Sequence, residues 1–177
     1  LANCGREILF SACSWGVEET QTWIKTTGAQ MWRSTGDIHD SWEFVKKLTL
    51  EQDRLHPYNG VGCFNDMDML IVGMQGKGNV GIQSGCTAEE YRTHFSLWCL
   101  MGSPLMIGCD VRSLSPETSA LLRNADAIAI DQDVCCNQPY RLTPFWQNED
   151  HRVYARLLAN GDFAIGAFNL GDSDAAF

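Results

Sequence analysis

The stretch from Gln30 to Trp42, with the sequence QMWRSTGDIHDSW, contains a transition from strand to helix. Its first three residues form a short strand-like run, and Asp40 and Ser41 can cap the helix that follows. Apolar residues then recur at steps of three and four until Pro57 stops the pattern. The stretch therefore predicts a βα unit in which polar residues join the end of the strand to the start of the helix.

The same alternation of strand-length apolar runs and helical patterns occurs on both sides of this unit. The predicted strands lie at 7–13, 30–32, 67–73 and 104–109, and the predicted helices at 18–27, 42–55, 87–101 and 115–124. The third helix begins with the capping box Thr87-Ala-Glu-Glu90. Four βα units with nearly continuous apolar strands indicate an α/β fold with a parallel sheet covered by helices. Such a pattern fits half of an eight-fold (β/α) barrel or a small open sheet.

A different pattern begins beyond about Val134. Residues 151–158 and 163–170 alternate in polarity around Asn160-Gly161-Asp162, which is the signal of a hairpin. Because an isolated hairpin is marginally stable in water, we expect further strands to complete it. The sequence therefore predicts two domains, with residues 1–134 in the α/β part and residues 135–177 forming the beginning of an antiparallel β domain. Both ends of the sequence are expected to be cut from a longer chain.

The composition disfavours several classes of partner. The formal net charge of −9 argues against nucleic acid and anionic membranes, which attract basic patches. No apolar stretch approaches the roughly 20 residues of a membrane-spanning helix. The eight cysteines have irregular spacing and form no CxxC pair, which favours free thiols in a reducing compartment. The sequence thus predicts a cytoplasmic protein with neither a nucleic-acid nor a membrane partner.

Polar residues at the predicted strand ends are the candidates for chemistry, because function in a (β/α) barrel collects at the carboxyl ends of the strands. Arg33 and Asp37 follow the strand that ends at Trp32. A carboxylate at this point can exchange protons with a bound molecule, although Asp37 can also be a further helix cap. Arg33 can bind ligand hydroxyls or form a surface ion pair.

Two further acidic residues and one glycine-rich stretch have alternative interpretations. Asp66 and Asp68 are predicted at the start of the third strand, where two carboxylates on one side favour a metal or acid/base role, but the strand start favours a structural one. Gly76–Gly81 matches GxGxxG, yet no helix begins there, so we expect a flexible active-site loop and not a nucleotide site. No cluster has the spacing of metal ligands, so neither a metal nor another cofactor is predicted.

Six blocks of the sequence are more specific than these general patterns. They are Cys13–Gly16 (CSWG), Trp32–Trp42 (WRSTGDIHDSW), Asn65–Leu70 (NDMDML), Gly102–Met106 (GSPLM), Asp110–Arg112 (DVR) and Ile128–Asp133 (IAIDQD). In order and spacing they resemble glycoside hydrolase family 27. The resemblance implies strands five to eight of a (β/α)8 TIM barrel followed by an antiparallel β domain. It also implies retaining hydrolysis of terminal α-D-galactosides by two carboxylates, without a cofactor.

The resemblance assigns roles to individual residues. It makes Asp37 the general acid/base and implies that Arg33 binds sugar hydroxyls. Trp15 and Met69 would line the substrate pocket, and Asp66 and Asp68 would lie beside it in a supporting role. The family's nucleophile lies at the end of the fourth barrel strand in a Lys-aromatic-Asp motif, for which this sequence has no counterpart. We therefore expect the missing N-terminal half of the barrel as a partner, and the chain alone to be inactive.

Ser14 bears on which sugar is cleaved. α-Galactosidases of the family commonly have Glu here, where the carboxylate contacts the 2-hydroxyl, and a small residue resembles the α-N-acetylgalactosaminidase branch. The expected substrate is thus an α-galactoside, with an α-N-acetylgalactosaminide as the alternative. Ala29 replaces the cysteine that pairs with the Cys13 position in many secreted members, which agrees with a bacterial-like cytoplasmic enzyme. A non-catalytic sugar-binding or barrel-completing fragment is a second hypothesis, because the nucleophile is missing.

Overall fold

Two three-stranded sheets and five α-helices make up the part of the chain that the computed structural model describes, residues 1, 3–77, 85–144 and 150–177. One sheet is parallel and the other is antiparallel. The largest buried cluster lies around the third helix, whose apolar side chains pack with Val45, Leu48 and the segment Leu70–Val72. Within the described ranges, no helix is long and apolar enough to cross a membrane.

The parallel sheet contains β1 (Ser11–Ala12), β2 (Met31–Arg33) and β3 (Phe64–Asp66), in the order β1-β2-β3. In the register, Ser11 pairs with Met31, and Arg33 pairs with Asp66. The predicted parallel arrangement of the first two units is therefore confirmed, although β1 is shorter than predicted.

The helices that follow β1 and β2 lie close to their predicted positions. α1 (Thr20–Trp23) continues as a 3-10 turn at Ile24–Thr27, α2 spans Trp42–Gln52, and a second 3-10 turn lies at His56–Tyr58. The expected capping of α2 by Asp40 and Ser41 is wrong. Ser41 occupies the N-cap position without a side-chain cap bond, and the Asp40 carboxylate is bonded to a different part of the chain.

The third and fourth predicted strands are wrong as strands. β3 lies before the predicted range 67–73. Within that range and the predicted strand 104–109, the described strand-like pairing is one isolated parallel bridge between Leu70 and Ile107. The apolar run at 67–73 reflects burial, and an apolar run without a clear period does not show whether the segment is a strand, whereas Met106 and Ile107 of the other run are exposed.

Side chains of α3 (Ala88–Met101) bond to the backbone of the segment that follows β3. The bonds are Trp98 Nε1 to Asp68 O (2.8 Å), Ile71 N to His94 Nε2 (3.1 Å) and Gln75 N to Tyr91 Oη (2.8 Å). The three α3 residues are spaced by three and four positions, which places them on one face of the helix. This face supplies hydrogen bonds that a neighbouring strand would otherwise supply.

The start of α3 agrees with its sequence signal. Glu90 N donates to Thr87 Oγ1 at 3.3 Å, and Thr87 N donates to Glu90 Oε2 at 2.6 Å, so the predicted capping box is confirmed. The remaining helices are a 3-10 turn at Val111–Ser113, α4 (Pro116–Leu122) and α5 (Ala125–Asp131). α4 lies within the fourth predicted helix, whereas α5 has no counterpart among the predicted helices.

The antiparallel sheet contains β4 (Tyr140–Arg141), β5 (His151–Leu157) and β6 (Phe163–Asn169), in the order β4-β5-β6. Leu157 pairs with Phe163 at the turn, and His151 pairs with Asn169 at the other end of the hairpin. The predicted hairpin is therefore confirmed.

A buried charge cluster joins the antiparallel sheet to the end of α2. Tyr154 Oη donates to Asp53 Oδ1 at 2.6 Å, and Arg152 Nη1 donates to Asp53 Oδ2 at 2.8 Å. Arg141 Nη1 lies 3.4 Å from the same oxygen. Burial raises the pKa of the Asp53 carboxyl, while the Tyr154 hydrogen bond and the two arginines oppose that rise. The charge of Asp53 is thus compensated inside the protein.

We expect Tyr154→Phe to lower the free energy of unfolding by about 1–3 kcal/mol, because Asp53 Oδ1 loses its hydrogen bond in a buried position. Tyr140→Phe is the matched control, since Tyr140 lies on the same sheet and is 41% exposed. It should change the free energy of unfolding by less than about 0.5 kcal/mol. Equilibrium urea denaturation measures both values, and equal losses in the two variants would contradict the role of the cluster.

Candidate active site

Polar residues from three loops meet at the carboxyl-end edge of the parallel sheet. Ser14 and Trp15 follow β1, Arg33 ends β2, and Asp66 ends β3 as the register partner of Arg33. The prediction that Asp66 and Asp68 lie at the start of a strand is therefore wrong, because β3 ends at Asp66 and Asp68 follows it. Both acids lie at the edge where barrel enzymes carry their sites.

Arg33 joins two carboxylates at this edge. Its Nη2 lies 2.9 Å from Asp37 Oδ1 and 2.9 Å from Asp68 Oδ2, and it donates to Gly36 O at 2.9 Å. The Arg33 side chain is only 13% exposed, so its pair with Asp68 is partly shielded from water. One guanidinium thus holds the loop after β2 against the segment after β3.

Asp68 is held by several bonds. Its φ of +80° lies in the left-handed region, and its carbonyl accepts from Trp98 Nε1 at 2.8 Å. Its amide donates to Asp66 Oδ1 at 2.9 Å, and its carboxylate accepts from Ile38 N at 2.9 Å and Met69 N at 2.7 Å. The Asp68 carboxylate is therefore occupied by groups of the protein.

Asp37 differs from Asp68 in exposure. Its side chain is 64% exposed and is bonded to Arg33, whereas the Asp68 side chain is 18% exposed. The alternative that Asp37 caps α2 is not supported by the structure, because the N-cap position belongs to Ser41. Asp37 is therefore the edge carboxylate that a molecule bound from solvent can reach.

Asp66 is buried beneath the other two acids, with 7% of its surface exposed. Burial raises the pKa of its carboxyl above the ordinary value. The hydrogen bond from the Asp68 amide and the charge of Arg33 oppose this rise, whereas the charge of Asp68 adds to it. The structural interpretation of Asp66 fits this environment, because its Oδ1 accepts a backbone hydrogen bond.

The loop after β1 packs against the backbone of β2. Gly16 N donates to Arg33 O at 3.0 Å, and Ser14 Oγ donates to the same oxygen at 3.4 Å. A Cβ on Gly16 would lie 2.2 Å from Ser34 O, so glycine is required at this close approach. Trp15 is 54% exposed and lines, together with Asp37, an open cleft of about 810 Å³.

Several residues near the edge have roles that the sequence patterns do not indicate. Asp40, Tyr91 and Trp98 bond to the backbone around the site. The repeat of polar-tipped aromatic residues along one face of α3 could have suggested Tyr91 and Trp98, but not Asp40. Met69 is half-buried and packs against Gly108. The flexible loop expected from the GxGxxG stretch falls largely on residues 78–81, which lie outside the described residues.

The edge is suited to proton transfer. It offers one exposed carboxylate, a neighbouring guanidinium and an exposed indole ring, the groups that can exchange a proton with a bound molecule, bind its hydroxyls and stack on an apolar face. In the ranges that the structure describes, no group of three or more His, Cys, Asp and Glu is arranged to hold a metal ion.

Sequence and structure comparisons find relatives across nearly the whole chain. A family model described as Alpha galactosidase A matches residues 1–133. The alpha-galactosidase of Cyamopsis tetragonoloba is 38% identical over 175 residues, which are 99% of this chain and 39% of that protein. The chain spans about two fifths of the length of the curated relatives that it matches.

Solved structures show the same similarity. The candidate alpha-galactosidase/melibiase of Bacteroides fragilis NCTC 9343 matches with a TM-score of 0.88 and 38% identity, over 93% of this chain and 36% of its own. Alpha-galactosidase I of Mortierella vinacea matches with a TM-score of 0.83 and 28% identity, over 96% of this chain and 44% of its own. The similarity thus includes both the parallel and the antiparallel sheet.

The environment of Asp66 predicts two pKa changes of opposite sign. Arg33→Met should raise the pKa of Asp66 further, and Asp68→Asn should lower it, because the first removes a positive neighbour and the second a negative one. A ¹³C NMR titration of the aspartate carboxyl groups measures both changes. Arg112→Met is the control, since Arg112 pairs with Asp110.

Changes of the same sign in the Arg33 and Asp68 variants would contradict this electrostatic description.

The raised pKa of Asp66 also determines how the free energy of unfolding depends on pH. The protonated form of Asp66 stabilises the fold at low pH, and this contribution is lost as the pH rises through the folded-state pKa.

Proposed function

Since this chain belongs to the alpha galactosidase A family, we propose that it carries the general acid/base of a retaining glycoside hydrolase that cleaves terminal α-D-galactosyl residues. Asp37 is the acid/base. The observation that carries the proposal is the exposure of its side chain, 64%, at an edge where Asp68 is 18% and Asp66 is 7% exposed. A group that gives a proton to a bound sugar must be within hydrogen-bond reach of it.

The proposed reaction has two steps. Protonated Asp37 donates to the glycosidic oxygen while a second carboxylate, about 5–5.5 Å away, attacks the anomeric carbon. The bond from this carbon to the leaving oxygen breaks, and a glycosyl ester forms. Asp37, now ionised, takes a proton from the water that attacks the anomeric carbon. The ester bond breaks, the second carboxylate is released, and the sugar leaves with its original configuration. The second carboxylate comes from residues outside this sequence.

The complete barrel is part of the proposal. The chain contributes strands five to eight of a (β/α)8 barrel and the beginning of an antiparallel β domain, and the first half of the barrel comes from elsewhere. The parallel order β1-β2-β3 and the parallel bridge between Leu70 and Ile107 support this arrangement. β1 forms an edge of its sheet, so its outer backbone groups are available to a further strand.

The proposed sugar-binding residues lie around Asp37. Arg33 donates to sugar hydroxyls, Trp15 stacks on the apolar face of the ring, and Ser14 and Met69 bound the pocket. Asp66 acts through Asp68, because its Oδ1 accepts a hydrogen bond from the Asp68 amide at 2.9 Å. The reaction needs proton transfers and a nucleophile, so no cofactor enters it. A reducing compartment for the enzyme is also proposed, from the irregular spacing of the eight cysteines.

The test joins this chain to the part of the Cyamopsis tetragonoloba alpha-galactosidase that precedes the match. The joined protein should hydrolyse nitrophenyl α-galactoside, and this chain alone should not, because the two carboxylates lie in different parts. Asp37→Ala should lower turnover roughly 100- to 10,000-fold. Azide, which attacks the anomeric carbon of the glycosyl ester without a general base, should restore part of the turnover and yield α-galactosyl azide.

Asp126→Asn is the control for this experiment, because Asp126 lies in the first turn of α5. Its turnover should match that of the unmodified joined protein. Near-normal turnover by the Asp37→Ala variant, with a folded protein by circular dichroism, would contradict the acid/base assignment. A joined protein that is folded but cleaves no α-galactoside would contradict the proposed activity.

Ser14 favours an α-N-acetylgalactosaminide as the alternative substrate. The residue lies directly beside Arg33, since its Oγ bonds to Arg33 O at 3.4 Å. Its small side chain leaves space for an acetamide group on the sugar, whereas a glutamate would fill that space and bind a hydroxyl.

We expect Ser14→Glu to shift the ratio of kcat/KM values toward the galactoside and away from the N-acetylgalactosaminide by roughly 10- to 200-fold, the range that one pocket side chain can supply. Assays of the two nitrophenyl glycosides with the joined protein measure the ratio. Ser14→Ala keeps a small side chain and should leave the ratio nearly unchanged. An unchanged ratio in Ser14→Glu would remove Ser14 from the specificity pocket.

A further inference from the structure

Asp40 is a buried carboxylate that the proposed reaction does not use. It is fully buried, and it accepts from Gly76 N at 2.6 Å, Tyr91 Oη at 2.7 Å and Cys86 N at 3.0 Å. Tyr91 Oη accepts in turn from Gln75 N at 2.8 Å. Asp40 therefore ties the loop between β2 and α2 to the end of the segment that follows β3 and to the start of α3.

The backbone fits closely around this carboxylate. Gly85 has a φ of +68°, and a Cβ at this position would lie 2.8 Å from Asp40 Oδ2 and 2.5 Å from Gly76 N. The space beside the carboxylate therefore admits no side chain at Gly85. Because the carboxylate is fully buried and accepts three hydrogen bonds, its position is narrowly defined.

The loop between β2 and α2 is anchored on both sides of Asp37. Before it, Ser34 is buried, and its amide donates to the carbonyl of the last residue of β3 at 2.8 Å. After it, Ile38 N donates to Asp68 Oδ2 at 2.9 Å, and Asp40 follows two residues later. Asp37 is thus an exposed residue in a loop whose flanking residues are fixed.

We propose that Asp40 is a positioning residue, whose carboxylate holds this loop where the Asp37 carboxyl can protonate the leaving oxygen. The inference rests on the proposed function and deepens it. General acid catalysis requires the acid within hydrogen-bond distance of the oxygen, and a displacement of about 1 Å can cost roughly 100-fold in rate. Asp40 acts on Asp37 through the backbone between them.

The chemistry of the site explains why a carboxylate is needed. A carboxylate accepts on both oxygens, whereas an amide of the same size has one oxygen and one NH2 group. Gly76 N and Cys86 N bond to different oxygens of Asp40. Whichever way an asparagine is turned, its NH2 therefore faces one of these amides and leaves a buried donor without an acceptor.

The test compares two substrates that differ in their need for an acid. Melibiose has a sugar as its leaving group and requires protonation, whereas dinitrophenolate leaves α-galactoside without it. In the joined protein, Asp40→Asn should lower kcat/KM for melibiose roughly 10- to 100-fold and for dinitrophenyl α-galactoside less than about 3-fold. Asp37→Asn should show the same dependence with a larger loss on melibiose.

Two further variants complete the design. Tyr91→Phe removes one donor to Asp40 without changing any charge, so it should show a smaller loss with the same dependence on the leaving group. If Asp40→Asn does not fold, the Tyr91→Phe variant still tests whether the hydrogen bonds of Asp40 position Asp37. Asp126→Asn should leave both substrates unaffected.

Equal losses on the two substrates would overturn the proposal, because a lower fraction of folded protein reduces both alike. Unchanged kcat/KM values in the Asp40 and Tyr91 variants would overturn it as well. Failure of the proposed function is a separate result. It would appear as an Asp37→Asn variant that cleaves melibiose like the unmodified protein, independently of the Asp40 measurements.

Discussion

The hydrogen bonds between one face of α3 and the backbone after β3 are the constraint on which the sheet edge depends. With Tyr91, His94 and Trp98 as partners, the chain can leave the sheet while its buried amides and carbonyls stay satisfied. Burial lowers the pKa of His94 to about 3. The ring is therefore neutral, and its Nε2 can accept from the Ile71 amide, which a protonated ring could not do. At one end of this face, Trp98 donates to the Asp68 carbonyl, and at the other end Tyr91 donates to the Asp40 carboxylate.

With the backbone fixed, electrostatics separates the acids of the edge. The Asp68 carboxylate pairs with Arg33 and accepts hydrogen bonds from two backbone amides. Asp66 is buried, and its pKa is raised. Asp37 shares Arg33 but keeps most of its surface in solvent. Three carboxylates of the same chemical type therefore have different environments, because burial and hydrogen bonding leave Asp37 as the one that is mostly exposed.

The antiparallel sheet supports this edge through the helix ends. Asp53, at the end of α2, is bonded to Tyr154 and Arg152 of β5. Arg156 of the same strand donates to the carbonyls of Cys99 and Leu100 at the end of α3, and to that of Asp131 at the end of α5. A cation at a helix carboxyl end is favoured by the helix dipole and satisfies carbonyls that lack partners within the helix. The sheet thus fixes the helices that hold the edge.

The sequence by itself determined the elements whose signals lie between near neighbours. The βα order that puts Arg33 and Asp37 at a strand end, the capping box at Thr87 and the hairpin at Gly161 are all of this kind. Only the tertiary structure decided that residues 67–73 are not a strand, and that Asp40 is an acceptor for distant amides and not a helix cap. The physical reason is that a buried polar group can be satisfied by any donor or acceptor that packing brings to it. A local pattern shows that such a group needs a partner, but the choice of partner depends on how distant segments pack together.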